Sequence, residues 1–166
     1  MLKIKIFAVG GTIDKVYFDA KSTYEVGPPN IAKVLEELSL DIEYSITSIL
    51  QKDSLDMDAD DRLLILEQVS SSEEDRIIIT HGTDTMVQTA ETLKQIRDKT
   101  IVLTGALEPA MFKTSDAVFN IGCAMAAVQT LPPNVYIAMN GRIFSHDNVA
   151  KDVENNRFVT IEDITA

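Results

Sequence analysis

Two short segments of this chain carry apolar triplets without interruption, Ile77-Ile78-Ile79 and Ile101-Val102-Leu103, where a half-exposed strand would alternate apolar with polar residues. Successive side chains of a strand point to opposite faces, so an unbroken run must be covered on both sides. That is the condition of a parallel sheet packed between helices. The rest of the chain supplies the pattern: apolar runs at 2–9, 44–50, 76–80, 100–104 and 135–139 alternate with helical periodicity at 30–38, 59–71, 84–97 and 114–130, the order of repeated βαβ units. Pro28-Pro29-Asn30 stands before the first helix and Pro132-Pro133-Asn134 after the last long one, where helices start and stop. The expected fold is α/β, a doubly wound parallel sheet of four or five strands flanked by helices, a three-layer sandwich of the Rossmann or flavodoxin type. Ile143 and Phe144, with residues 157–161, are expected to close the chain as a short hairpin.

A chain of 166 residues, 45% hydrophobic, holds one core and is read as a single domain over 1–166. Its net charge of −11 argues against nucleic acid as a partner, because binding a phosphate backbone needs clustered Lys and Arg. Cys123 is the only cysteine, which excludes an intrachain disulfide, and Ile121-Gly122-Cys123-Ala124 reads as a buried helical position. Lys3 and Lys5 interrupt the first apolar run, which therefore reads as a strand and not as a signal peptide. No apolar run reaches the ~20 residues of a membrane span. A cytoplasmic protein with no membrane partner is expected.

Two of the apolar runs end in glycine–threonine turns: Gly10-Gly11-Thr12-Ile13-Asp14 and His81-Gly82-Thr83-Asp84-Thr85-Met86. Parallel strands release their loops along one edge of the sheet, and ligands bind there, so Thr12 and Thr83 are expected to face one pocket. A threonine hydroxyl becomes a nucleophile only when a neighbour takes its proton and donors hold the resulting oxyanion. Glycines at positions 10 and 11 permit close backbone approach and expose N–H groups, but they do not form the G-x-G-x-x-G pattern of a dinucleotide site. The plainer reading makes Thr83 or Asp84 an N-cap for the helix that follows. Asp56, Asp58, Asp60 and Asp61 lack calcium-loop spacing and read as the acidic first turn of a helix. No His/Cys cluster has ligand spacing, so neither metal nor cofactor is expected.

Taken in order, GGTID and HGTDTM resemble the two signature motifs of the bacterial-type (type I/II) L-asparaginase family, and further segments fit the resemblance from Ile4 to about Lys151. Lys151, in Asn148-Val149-Ala150-Lys151, matches the family's lysine that activates the second threonine, so the resemblance implies a relay of Thr83, Asp84 and Lys151. Lys21-Ser22-Thr23-Tyr24-Glu25-Val26-Gly27 is similar to the mobile lid whose tyrosine orients the nucleophile. Tyr24 is the matching residue and Tyr17 the second candidate. Asp53-Ser54-Leu55-Asp56-Met57 matches the substrate-carboxylate segment, with Ser54 at the binding hydroxyl and Leu55 in place of a common glutamine that meets the substrate amino group. Asp116 is assigned a structural role at a helix start, and His81 that of a hydrogen-bonded framework residue.

The resemblance implies hydrolysis of the side-chain amide of L-asparagine, or a related small amide, through a threonine acyl-enzyme. The catalytic set is Thr12, Tyr24, Thr83, Asp84 and Lys151; Gly11, Ser54, Leu55, Gly82, Thr83 and Asp84 line the substrate. The chain is similar to the family's N-terminal domain standing alone, which implies apolar surface free to form a homodimer or higher homo-oligomer. The alternative is a binding module or partner subunit that keeps the amino-acid pocket with little catalysis.

Overall fold

The computed structural model describes residues 2–165; Met1 and Ala166, the ends of the expected domain span, lie outside the described residues. In chain order the elements are β1 (Lys3–Gly10), β2 (Lys15–Phe18), β3 (Thr23–Val26), α1 (Asn30–Glu36), β4 (Glu43–Lys52), α2 (Ala59–Ser71), β5 (Arg76–Thr80) and α3 (Met86–Leu93). They continue with β6 (Thr100–Thr104), α4 (Ala117–Thr130), β7 (Asn134–Met139), β8 (Arg142–Ser145), β9 (Ala150–Asp152), β10 (Arg157–Val159) and α5 (Ile161–Thr165). The central sheet is six-stranded in the order β4-β1-β5-β6-β7-β8. Its first five strands are parallel, and β8 returns antiparallel beside β7, a sixth edge strand beyond the four or five expected.

The unbroken apolar runs do what their pattern requires. Ile77, Ile79, Ile101 and Leu103 enter one core with Ile65 and Val69 of α2 and Ala90 and Leu93 of α3. Ile78 and Val102 point the other way, into a second core with Ile31 and Leu35 of α1 and Ala124 and Val128 of α4. All six sheet residues are fully buried. Each such side chain removed from water contributes ~1.5–3 kcal/mol, so a charge at any of them would disrupt one of the two layers. No helix among the described residues is long and apolar enough to cross a membrane.

Several boundaries differ from expectation for identifiable reasons. α3 begins at Met86 instead of 84, because Asp84 and Thr85 are held by partners outside the helix, Lys151 and Ser54. α4 begins at Ala117 instead of 114: the Asp116 carboxylate accepts from the N–H groups of Leu107 and Glu108, which fixes the preceding loop. Asp116 therefore has the structural role assigned to it. At the start of α2, Asp58 and Asp61 form a reciprocal capping box, each carboxylate accepting the other's backbone N–H. Cys123 lies on α4 but is only half-buried.

The expected terminal hairpin does not form as drawn. Ile143 and Phe144 belong to β8, which pairs with β7, while Arg157–Val159 pairs with Ala150–Asp152. Backbone pairing favours the nearest antiparallel neighbour in each case, joined by the tight turn at Asn140-Gly141 or at 153–156. The lid-like segment 21–27 is likewise more regular than its sequence suggests: Thr23–Val26 pairs with Lys15–Phe18 as a hairpin, with Tyr17 opposite Tyr24.

Candidate active site

β1 and β5 are sheet neighbours in parallel register, with Ala8 beside Thr80, so their chain exits leave the same edge side by side. The two exits touch through glycine. A Cβ on Gly11 would lie 2.4 Å from both Cα and N of Gly82, and Gly11 is held at φ +93°, a conformation that side-chain-bearing residues avoid. Gly82 in turn has Ser54 against it: a Cβ there would meet the Ser54 Cβ at 2.6 Å and Oγ at 2.7 Å. The turns after β1, β4 and β5 thus converge backbone to backbone, and the residues that follow the two glycines are Thr12 and Thr83. Any larger residue at position 11 would push the two threonine turns apart, and one at position 82 would push the second turn off Ser54.

Hydrogen bonds set this convergence. Gly11 N–H donates to the Lys52 carbonyl at 2.9 Å, tying the first turn to the end of β4. Ser54, buried in a short 3-10 turn, accepts from Thr85 N–H at 3.3 Å, and the Thr85 hydroxyl donates to the Ser54 carbonyl at 2.9 Å. Lys151, from β9, reaches over the second turn. Its Nζ donates to the Thr83 hydroxyl and to Asp84 Oδ1, each at 2.8 Å, with 12% of the lysine side chain exposed. Thr83 is buried, Thr12 half-buried, and the Asp84 carboxylate partly open to solvent. Neither Thr83 nor Asp84 caps α3, contrary to the plainer expectation: the N-cap is Thr85, and it makes no side-chain capping bond.

His81 lies beneath the turn as a framework residue. Its ring bridges the Gly82 carbonyl and the Thr89 hydroxyl, both at 2.7 Å, and it is fully buried. Burial pushes its pKa down to about 4, against the pull of the Gly82 carbonyl, so the ring is neutral at pH 7.

Tyr24 stands at the open side. It is 49% exposed, and its ring packs edge-on against Tyr17 at 5.3 Å and Phe112 at 5.5 Å. With Lys15, Gln51, Lys52 and Asp53 it lines a cleft of about 610 Å³ beside the Ser54 turn. An ion pair of Lys15 with Asp53, 3.2 Å long, bridges the hairpin to that turn. Leu55 is 72% exposed and fixed only by its backbone, whose N–H donates to Asp53 Oδ1. Of the sequence candidates, Gly11, Thr12, Ser54, Gly82, Thr83, Asp84 and Lys151 belong to one set of touching turns, while Tyr24 and Leu55 flank it.

Thr85, Lys15 and Phe112 carry no local signal in the sequence, because each acts through a partner distant in the chain: Ser54, Asp53 and Tyr24. Asp14, inside the GGTID motif, is a further buried residue of the first turn. A carboxylate beside an apolar run was the available signal. Among the described residues no group of three or more His, Cys, Asp or Glu side chains is arranged to hold a metal ion.

A parallel sheet with threonine-bearing turns on adjacent strands, one of them bonded to a lysine from beyond the sheet, gathers its polar groups at the carboxyl ends of the strands, where α/β sheets bind ligands. Residues 3–165 match the family described as asparaginase, N-terminal, and the chain belongs to the asparaginase family. It is 30% identical over 159 residues to L-asparaginase 2 of Escherichia coli K12, a match that covers 89% of this chain and 46% of that protein. The thermostable L-asparaginase from Thermococcus kodakarensis superposes with a TM-score of 0.85 at 28% identity, covering 96% of this chain and 51% of the other. A structure described as the probable cytoplasmic L-asparaginase from Campylobacter jejuni gives 0.81 at 28% identity, covering 96% and 53%. The chain spans about half the length of these relatives.

Proposed function

We propose that this chain acts as an asparaginase-like amidohydrolase on L-asparagine or a related small amide, releasing carboxylate and ammonia. The observation that carries the reading is the pair of 2.8 Å bonds from Lys151 Nζ to Thr83 and Asp84 across the turn that touches Gly11. In this reading Thr12 Oγ attacks the amide carbon, ordered by the Tyr24 hydroxyl, and N–H groups near Gly11 and Thr83 hold the oxyanion. The C–N bond breaks, ammonia leaves with the proton taken from the hydroxyl, and an ester to threonine remains. Thr83, Asp84 and Lys151 then direct water to that ester; its C–O bond breaks and the hydroxyl is restored. The same relay also suits Thr83 as first nucleophile.

Substrate recognition uses what the framework bonds leave free. The Ser54 oxygen accepts from Thr85 N–H, which leaves its own proton for an α-carboxylate. Asp84 spends Oδ1 on Lys151 and has Oδ2 for an α-ammonium. Leu55 presents no polar group to either. A homodimer is proposed as the working unit, supported by the exposed apolar residues Phe119, Ile143, Ile161 and Ile164. A cytoplasmic location is proposed in keeping with the naming of the Campylobacter jejuni relative.

The test is ammonia release from asparagine and glutamine, run beside calorimetric titration with aspartate. Ammonia from any of these amides supports the reading. Aspartate binding with no ammonia from any amide would replace it with the binding-module alternative.

A further inference from the structure

Asp14 is a carboxylate with 1% of its surface exposed, in the same short turn as Thr12, and the mechanism above makes no use of it. Its surroundings give it a task. The segment that joins the Tyr24 strand to α1 reads Gly27-Pro28-Pro29-Asn30, and the two prolines have no N–H. That leaves two backbone donors, and Asp14 takes both: Gly27 N–H donates to the Asp14 carbonyl at 2.9 Å, and Asn30 N–H donates to its Oδ1 at 2.8 Å. The adjacent Ile13 carbonyl accepts from Ala110 N–H at 3.1 Å and from Asn30 Nδ2 at 3.5 Å. The Thr12 turn is therefore tied to the root of the Tyr24 hairpin by the Asp14 carbonyl, and to the start of α1 by the Asp14 carboxylate.

A neutral acceptor would make the same bond without the cost of burying a charge. A carboxylate offers a bond about twice as strong when ionised, and one that weakens on protonation. Burial raises the Asp14 pKa to about 7, with the Asn30 N–H acting against it, so both forms are populated near neutral pH. The charged groups on the elements around it are engaged elsewhere or face outward. Lys15 pairs with Asp53, Glu25 with Lys21, and Glu108 with the Thr114 hydroxyl. The Asp116 carboxylate is taken by Leu107, Glu108 and Asn120. Lys33 of α1 and Glu37 just after it line a groove beyond Asn30, and Lys113 is exposed.

We propose that Asp14 is a positioning residue: its ionised carboxylate latches the Thr12 turn to Asn30 at the start of α1, where the chain has just left the Tyr24 hairpin, and protonation loosens the latch. This rests on the amidohydrolase reading for its effect on rate, and it is tested by a measurement that does not. In the intact protein, the amide 1H–15N shifts of Asn30 and Thr12 are followed from pH 5 to 9 in wild type and in Asp14→Asn. Asn keeps an oxygen acceptor for Asn30 without the charge. The expected result is that both amides titrate together in wild type, with one midpoint near neutral pH, and that neither does so in Asp14→Asn. For ammonia release, kcat/KM of the wild type rises roughly tenfold across the same midpoint, while Asp14→Asn stays flat at the acid level. A Thr12 amide that does not follow Asn30, or an Asp14→Asn variant that keeps the wild-type pH limb, overturns the proposal. A wild type that releases no ammonia but shows the joint titration refutes the amidohydrolase reading and leaves the latch established.

Discussion

Lys151 Nζ donates to Thr83 Oγ1 at 2.8 Å although 68 residues separate them, and the lysine arrives on a two-stranded hairpin, β9–β10, that is no part of the central sheet. The hydrogen-bond partner of Thr83 is thus supplied from outside the strand order that places the threonine. Lys151→Met is expected to lower kcat for ammonia release by at least ~10²-fold, the scale of a lost proton-transfer group. Thr12→Val and Thr83→Val are each expected to abolish turnover. Aspartate binding to Lys151→Met, measured by calorimetry, is expected to persist, since Ser54 and Asp84 remain. Full activity in Thr12→Val would move the nucleophile to Thr83.

The contact of Gly82 with Ser54 tests the convergence of the turns directly. A methyl group at position 82 meets Ser54 Cβ at 2.6 Å and its N at 3.1 Å, and a backbone atom yields less easily than a side-chain end. Gly82→Ala is expected to destabilise the fold by ~1–3 kcal/mol and to raise KM, as the Ser54 hydroxyl moves. Urea unfolding beside substrate titration checks both.

Asp14 also leaves a signature in stability. Its folded-state pKa of about 7 lies above the ordinary 3.8, so between those values the folded chain holds a proton that the unfolded chain has lost. Stability therefore falls as pH rises through that window, and the full cost is present above about 7. Asp14→Asn is expected to be more stable than wild type at pH 8, by at most about 4 kcal/mol, and no more stable at pH 4. Denaturant midpoints at the two pH values decide it.

His81 acts with the opposite sign. Its pKa falls from 6.5 to about 4 on burial, so between these values the unfolded chain binds the extra proton. Stability from this group is complete above pH 6.5 and is lost as pH falls towards 4, by about 3 kcal/mol at most. His81→Gln is expected to flatten that acid limb while lowering stability at pH 7, through the lost bridge from the Gly82 carbonyl to Thr89.

Thr80, fully buried at the end of β5, has a hydroxyl with no hydrogen-bond partner among the described residues. Removing an unsatisfied buried hydroxyl while keeping the branched shape relieves its desolvation. Thr80→Val is expected to stabilise the protein by ~1 kcal/mol, seen as a higher Tm, with activity unchanged.

The sheet was legible in the order of residues because burial on two faces demands unbroken apolar runs: Ile77-Ile78-Ile79 announces a central parallel strand before any contact is known. Gly11 and Gly82 were visible as turn glycines, and Thr12, Thr83 and Lys151 as motif members. Local periodicity carries this information, since a strand or a capped helix is decided within a few residues. Other features depend on groups far apart in the chain. Thr85 leaves α3 because Ser54, 31 residues away, takes its hydroxyl and N–H. β8 joins the sheet and β10 joins β9 because of which edge each turn exposes. Asp14 is an ordinary acidic residue on paper, and only packing of the 27–30 segment and the Ala110 loop around it removes its water. The sequence by itself determined which segments had to be strands and helices and which turns carried hydroxyls. Only the tertiary structure decided which backbones touch, which carboxylate is buried and which lysine reaches a threonine, because desolvation and side-chain hydrogen bonds depend on neighbours in space.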